Sequence, residues 1–199
     1  LLVIDKAIAL DPDKAYIYIN KAYIFTDVKN DYKTARAILD NARDFVAISE
    51  LDGMYGYIEM LQGNYSRVLE EFNKYPDSLF SHQSHIYSNA QLIAVIYKAE
   101  GKVDLAKKYF NKDRELMLSL LKKAPDDFRI HVNLGIDYAA VGEREKAMEY
   151  VKHAGQLMPP TKDALIGVVP LEALALVYTY SGEQDSAIDI LEKLLKLPR

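Results

Sequence analysis

Phe128-Arg129-Ile130-His131-Val132-Asn133-Leu134-Gly135-Ile136-Asp137-Tyr138-Ala139-Ala140-Val141-Gly142, followed by Ala147, Val151, Ala154 and Pro159, is the stretch that decides the fold. Apolar residues recur with a helical period on both sides of Gly142, which reads as the turn between two helices. Gly135 and Ala147 are small enough to let those helices approach, and Leu134, Tyr138 and Val151 fill the space between them. One such hairpin cannot bury its apolar face alone, so a stack of them is expected.

The same order of signals recurs outward from this stretch. Asn30, Gly63, Gly101, Gly142 and Gly182 take the turn position, 33, 38, 41 and 40 residues apart. Upstream, Tyr18, Ala22 and Phe25 form one packing face and Ala35, Leu39 and Ala42 the next, with one extra residue in the turn at 27–30. Gly56 and Phe72 flank the turn Gly63-Asn64-Tyr65, and Ser49 is placed to cap the preceding helix. After Pro76 a loop over 77–84 is expected, with a cap at Asp77 or Ser81. A helix then carries Ala90, Ile93, Ala94 and Tyr97 to its turn at Gly101. Its partner, with Ala106 and Phe110, runs on through Leu116, Leu120 and Leu121 to Lys123, where Pro125 stops it.

Downstream of the deciding stretch, Pro159-Pro160 ends a helix and Thr161-Lys162-Asp163 can cap another. Pro170 lies inside an apolar run, so a kink or short gap is expected at 167–170. Leu171, Leu174, Ala175 and Tyr178, then Gly182, then Ala187, Leu191 and Leu194 make the last hairpin, ending at Pro198. The units are a leading half unit at 1–12 and hairpins at about 13–48, 49–76, 77–125, 126–160 and 161–199, all in one repeat domain.

Across almost the whole chain these columns resemble the tetratricopeptide (TPR) repeat. The likeness is strongest over Phe128 to Pro159 and Leu171 to Pro198. His131 stands where the family has an aromatic residue, Lys21 where it has Leu, and Glu59 where it has a second aromatic. The resemblance implies an all-α fold, an α-solenoid of antiparallel helical hairpins coiled into a superhelix. It also reads Ala9-Leu10-Asp11-Pro12 as the end of a second helix whose partner precedes Leu1. The chain is therefore expected to be a fragment of a longer protein, with the face of Leu1, Ile4 and Ile8 exposed or covered by another copy. Lys162-Asp163-Ala164-Leu165, Leu171-Glu172, Gly182-Glu183 and Leu191-Glu192-Lys193-Leu194-Leu195 are similar to the closing repeats of bacterial multidomain regulators. In those proteins a repeat tail follows a winged-helix, cyclase or kinase domain.

In the family the first helix of each hairpin lines an inner, concave wall. Carried over, this places Tyr16, Ile19, Tyr23, Tyr57, Met60, Gln91, Val95, Lys98, Arg129, Asn133, Ile136, Leu176 and Tyr180 at that wall. Only Asn133 stands at a position where clamp-type repeats hold a terminal carboxylate; Ile19 and Tyr23 stand where Lys and Asn would be needed. The wall either takes a protein or peptide partner by burying side chains or merely contacts neighbouring helices. The resemblance thus implies a protein-binding scaffold, and the alternative is a structural module that self-associates into a homo-oligomer through its terminal repeats.

Composition narrows the other classes. With 25 basic residues interspersed among 29 acidic ones, a net charge of −4 gives no basic stripe for nucleic acid. No apolar run approaches the roughly 20 residues of a membrane span, and no signal peptide is apparent. Cys is absent, which removes disulfides and thiolate chemistry; a cytoplasmic location is expected, with the periplasm left open. No enzyme, cofactor or metal is indicated. His82-Gln83-Ser84-His85 has metal-like spacing but no third ligand nearby, and His131 reads as a hydrogen-bonded packing residue, with His153 at the surface. Asp126-Asp127 after Pro125 reads as a helix cap. Asn64-Tyr65-Ser66 matches a glycosylation acceptor but sits in a turn whose geometry alone explains it.

Overall fold

The computed structural model describes residues 1–81 and 83–197, with the backbone alone at positions 49 and 71. Eleven helices succeed one another among these residues: α1 (Leu2–Leu10), α2 (Ala15–Tyr23), α3 (Tyr32–Ala42), α4 (Ile48–Leu61), α5 (Tyr65–Phe72), α6 (Asn89–Ala99), α7 (Val103–Leu121), α8 (Phe128–Ala140), α9 (Arg144–Leu157), α10 (Val169–Tyr180) and α11 (Gln184–Lys196). Helices α2 and α3, α4 and α5, α6 and α7, α8 and α9, and α10 and α11 pack in pairs. The chain divides into two compact units, Leu1–Lys74 and Tyr75–Arg199.

The turns explain the hairpins. Asn30, Gly63, Gly101, Gly142 and Gly182 all have positive φ, from 55° to 92°, the left-handed conformation that closes a helix and that Gly adopts without a Cβ clash. After each of the four glycines, the next amide donates to a carbonyl five residues back: Asn64 to Glu59, Lys102 to Tyr97, Glu143 to Tyr138 and Glu183 to Tyr178. At Asn30 the corresponding bond runs from Asp31 to Phe25, six residues back. The extra residue anticipated in that turn is absorbed upstream, as a π-helical turn over Ile24–Val28.

Small residues set the helix spacing. A Cβ on Gly135 would stand 2.3 Å from Val151 Cγ2, and one on Gly56 would overlap the ring of Phe72. The core of the C-terminal unit joins Met117 of α7 to Leu134 and Tyr138 of α8, Ala147 and Val151 of α9, and Ala173 and Val177 of α10. In the N-terminal unit Ala35, Leu39 and Ala42 are wholly buried on α3.

Three expectations change in detail. Strands β1 (Leu79–Ser81) and β2 (Ile86–Ser88) pair antiparallel, with Phe80 opposite Tyr87, whose rings stack 4.9 Å apart. Such facing aromatics stabilise a short strand pair, and α6 therefore begins late, at Asn89, with Ser88 rather than Asp77 or Ser81 accepting from the Gln91 amide. The gap before the last hairpin exists, but Pro170 does not break a helix: residues 160–168 form turns, and Pro170 lies in the first turn of α10, where its missing amide is not needed. On α1, Ile4 and Ile8 are partly covered, and the strongly exposed side chains are Leu2 (71%), Val3 (79%) and Leu10 (85%). Helix α4 begins after Ala47, and the Ser49 side chain and Pro198 lie outside the described residues.

Candidate interaction site

In the N-terminal unit the first helices of two hairpins, α2 and α4, bring Tyr23 and Tyr57 together with ring centroids 5.4 Å apart. The π-helical turn aims Asp27 at this pair, and the Tyr57 hydroxyl donates to Asp27 Oδ1 at 3.2 Å. Burial, then the Asp27 charge, pushes the Tyr57 phenol up to about 12, so it remains a hydrogen-bond donor at neutral pH. Tyr16 is 58% exposed and Met60 is half-buried, whereas Ile19 is 7% exposed. Ile19 belongs to the core and offers no side chain to a ligand.

In the C-terminal unit α6, α8 and α10 supply the corresponding residues. Lys98 of α6 holds its Nζ 4.5 Å above the Tyr180 ring of α10, a cation–π contact that leaves the ammonium partly in water. Val95 and Lys98 are exposed, and Ile136, Leu176 and Tyr180 are half-buried. Asn133 is not at an open wall: it is 2% exposed, its Nδ2 donates to the Ile86 carbonyl at 2.8 Å, and its Oδ1 accepts from Gln91 Nε2. Gln91 also donates to Asp137 Oδ1 at 3.3 Å. The one clamp-type position is thus spent on strand β2. Arg129 is similarly engaged, with Nη2 at 2.6 Å from Asp127 Oδ2 and Nη1 donating to Ser81 Oγ. Its guanidinium holds the Asp127 carboxyl below the usual range, while Asp127 Oδ1 caps α8 by accepting from the Arg129 amide.

The histidines and the turn asparagine have structural partners. His131 is buried, its Nε2 lies 2.7 Å from the Pro125 carbonyl and therefore donates to it, and its ring meets His153 edge-on at 4.5 Å. His85 is exposed and its Nδ1 lies 2.8 Å from Ser84 Oγ; His82 lies outside the described residues. Asn64 donates to Glu59 Oε2 at 2.7 Å from its turn. Among the described residues no three His, Asp or Glu side chains converge as metal ligands, and no helix is long and apolar enough to cross a membrane.

Sequence reasoning missed one cluster. Asp113 of α7 and Asp137 of α8 are both fully buried, in the same polar layer as Gln91 and Asn133. The signal was present, since Ala106, Phe110, Asp113 and Met117 form one stripe of α7 and an acid interrupts it.

No protein-family model matches the sequence, and no curated protein does. Among solved structures, a chain of the APC/C hetero-tetramer Cut9–Hcn1 is similar with a TM-score of 0.57 and 16% identity; the match covers 98% of this chain and 36% of that one. YrrB, described as a TPR protein with an unusual peptide-binding site, is similar at 0.43 and 18% identity over 98% of this chain and 91% of that one. MamA AMB-1 stands at 0.36 and 18% over 92% and 91%. The five left-handed turns, the glycine-mediated helix contacts and the likeness to the Cut9–Hcn1 chain together give this chain an all-α, tetratricopeptide-like fold of antiparallel helical hairpins.

Proposed function

We propose that the chain is a protein-interaction scaffold, the sensory or interaction tail of a larger regulatory protein, that takes a peptide on its first helices by burying aromatic and aliphatic side chains. The observation that carries this is the half-buried tyrosine pair on α2 and α4, with Tyr16 more exposed about two turns before Tyr23 on α2. Aromatic side chains with a polar tip are the usual anchors of such surfaces. A carboxylate clamp is disfavoured, because Asn133 and Arg129 are already bonded within the fold. Binding is therefore expected to change little between low and high ionic strength, where an ion-based clamp weakens steeply. Tyr57→Ala is expected to reduce affinity at least about tenfold, or about 1.4 kcal/mol. A peptide-library titration at two salt concentrations reads both. Affinity that collapses with salt and ignores Tyr57→Ala would sink this reading.

A second reading, self-association, has its own observation: Leu2, Val3 and Leu10 on α1, and Ile188, Leu191 and Leu195 on α11, are exposed apolar side chains. If these faces join copies, sedimentation shows a dimer that grows with concentration and disappears in Val3→Glu/Leu10→Glu. A wild-type monomer at every concentration removes this alternative.

A further inference from the structure

Asp113 and Asp137 stand within hydrogen-bonding reach of each other at the junction of α7 and α8, both with no accessible surface. Ser88 and Asn133 stand beside Asp113, yet neither Asp113 oxygen nor Asp137 Oδ2 receives a well-directed hydrogen bond. Arg114, the cation whose charge reaches Asp137, is committed elsewhere: its Nη1 donates to Glu143 at 2.7 Å and its guanidinium lies over the Tyr138 ring. From α10, Tyr180 faces Asp137, and from α6 the neutral Gln91 does. Two ionised carboxylates cannot lie together in such a place, because each loses its hydration and repels the other. A single proton between them turns that repulsion into a strong, charge-assisted hydrogen bond that engages one oxygen of each carboxyl.

We propose that Asp113 and Asp137 share a proton, and that this acid–carboxylate bond is a pH-sensitive latch between the second helix of one hairpin and the first helix of the next. It joins the layer in which Gln91 and Asn133 hold strand β2, so the latch and the seat of the strand pair are one network.

The sign of the pH dependence follows from which state holds the proton. Burial raises both carboxyls above the usual range, and Asp113 raises Asp137 further. The folded chain then binds more protons than the unfolded one above the ordinary aspartate value of about 3.9. The latch contributes fully below that value and is lost as pH rises through the folded values.

The test is thermal unfolding of the whole chain from about pH 5 to about pH 9, with infrared detection of a protonated carboxyl. The wild type is expected to show that carboxyl band at neutral pH, and its midpoint to fall by several degrees toward alkaline pH. In Asp113→Asn/Asp137→Asn the band disappears; in Asp137→Asn, whose amide keeps a donor but cannot ionise, the midpoint falls less than in the wild type. Absence of the band from the wild type at neutral pH overturns the proposal, even if the variants fail to fold. Parallel midpoint curves, or a wild-type midpoint lowered by a chelator, which would mean a metal ion bridges the pair, overturn it as well.

Discussion

Leu134→Ala is expected to lower the unfolding free energy of the C-terminal unit by about 2–5 kcal/mol, a large part of the roughly 5–15 kcal/mol that keeps a domain folded. Leu134 is wholly buried in a core built from four helices, so the cavity it leaves cannot be closed by moving one element. Gly135→Ala tests the same contact from the opposite side. The alanine favours the helix by about 1 kcal/mol, but its Cβ would stand 2.3 Å from Val151 Cγ2 and 3.2 Å from the Ala147 carbonyl. Val151 is β-branched on a helix and holds one rotamer, so the clash must move the helices, at about 1–3 kcal/mol. Urea unfolding measures each. Gly135→Ala combined with Val151→Ala should recover part of the Gly135→Ala loss; no recovery would mean that the spacing of α8 and α9 is set elsewhere.

Why is the hairpin of α8 and α9 legible in the sequence? Its determinants are local and steric. A left-handed turn selects Gly or Asn, and a close helix contact selects Gly or Ala, so the columns of the repeat it resembles mark both the turns and the packing positions. The extra residue before Asn30 was legible as a frame slip, but not its form, because a π turn and a longer loop add the same residue to the sequence. The strand pair was missed for another reason. Leu79-Phe80-Ser81 and Ile86-Tyr87-Ser88 are too short to show a period, and they become strands by pairing with each other and with Asn133, 47 residues from Ile86.

The candidate site was less legible than the fold, and the residues that failed show the cause. Ile19 and Asn133 hold wall positions by register, yet whether a wall position is open depends on what else reaches it. For Asn133 that is strand β2, which no column of the repeat anticipates. Tyr57 and Asp27 were 30 residues apart until the π turn joined them. Register chose the helix face; tertiary contacts decided which side chains stay available.

Glu59 looked like an imperfection of the repeat, an acid in an aromatic column, and the structure makes it the centre of the N-terminal unit's largest expected electrostatic effect. Its side chain is 7% exposed, ion-paired with Arg36 of α3 and with Arg67 of α5 at 3.2 Å, and it accepts from Asn64 at 2.7 Å. It therefore ties one hairpin to the next where an aromatic ring would have filled the space. Arg36→Met is expected to cost about 3 kcal/mol. That is the lower end of the about 3–5 kcal/mol for stranding a buried charge, because Arg67 and Asn64 remain, although Arg67 is two-thirds exposed and screened by water. Adding Glu59→Leu removes the stranded charge and restores an apolar side chain to the column. A buried pair replaced by packed apolar groups is often neutral, so Arg36→Met/Glu59→Leu should regain most of the loss. Equilibrium unfolding of the parent, both single variants and the double variant closes the cycle. Additive losses, or an Arg36→Met cost under about 1 kcal/mol, would show that the carboxylate is solvated and that the tie between the hairpins is apolar instead.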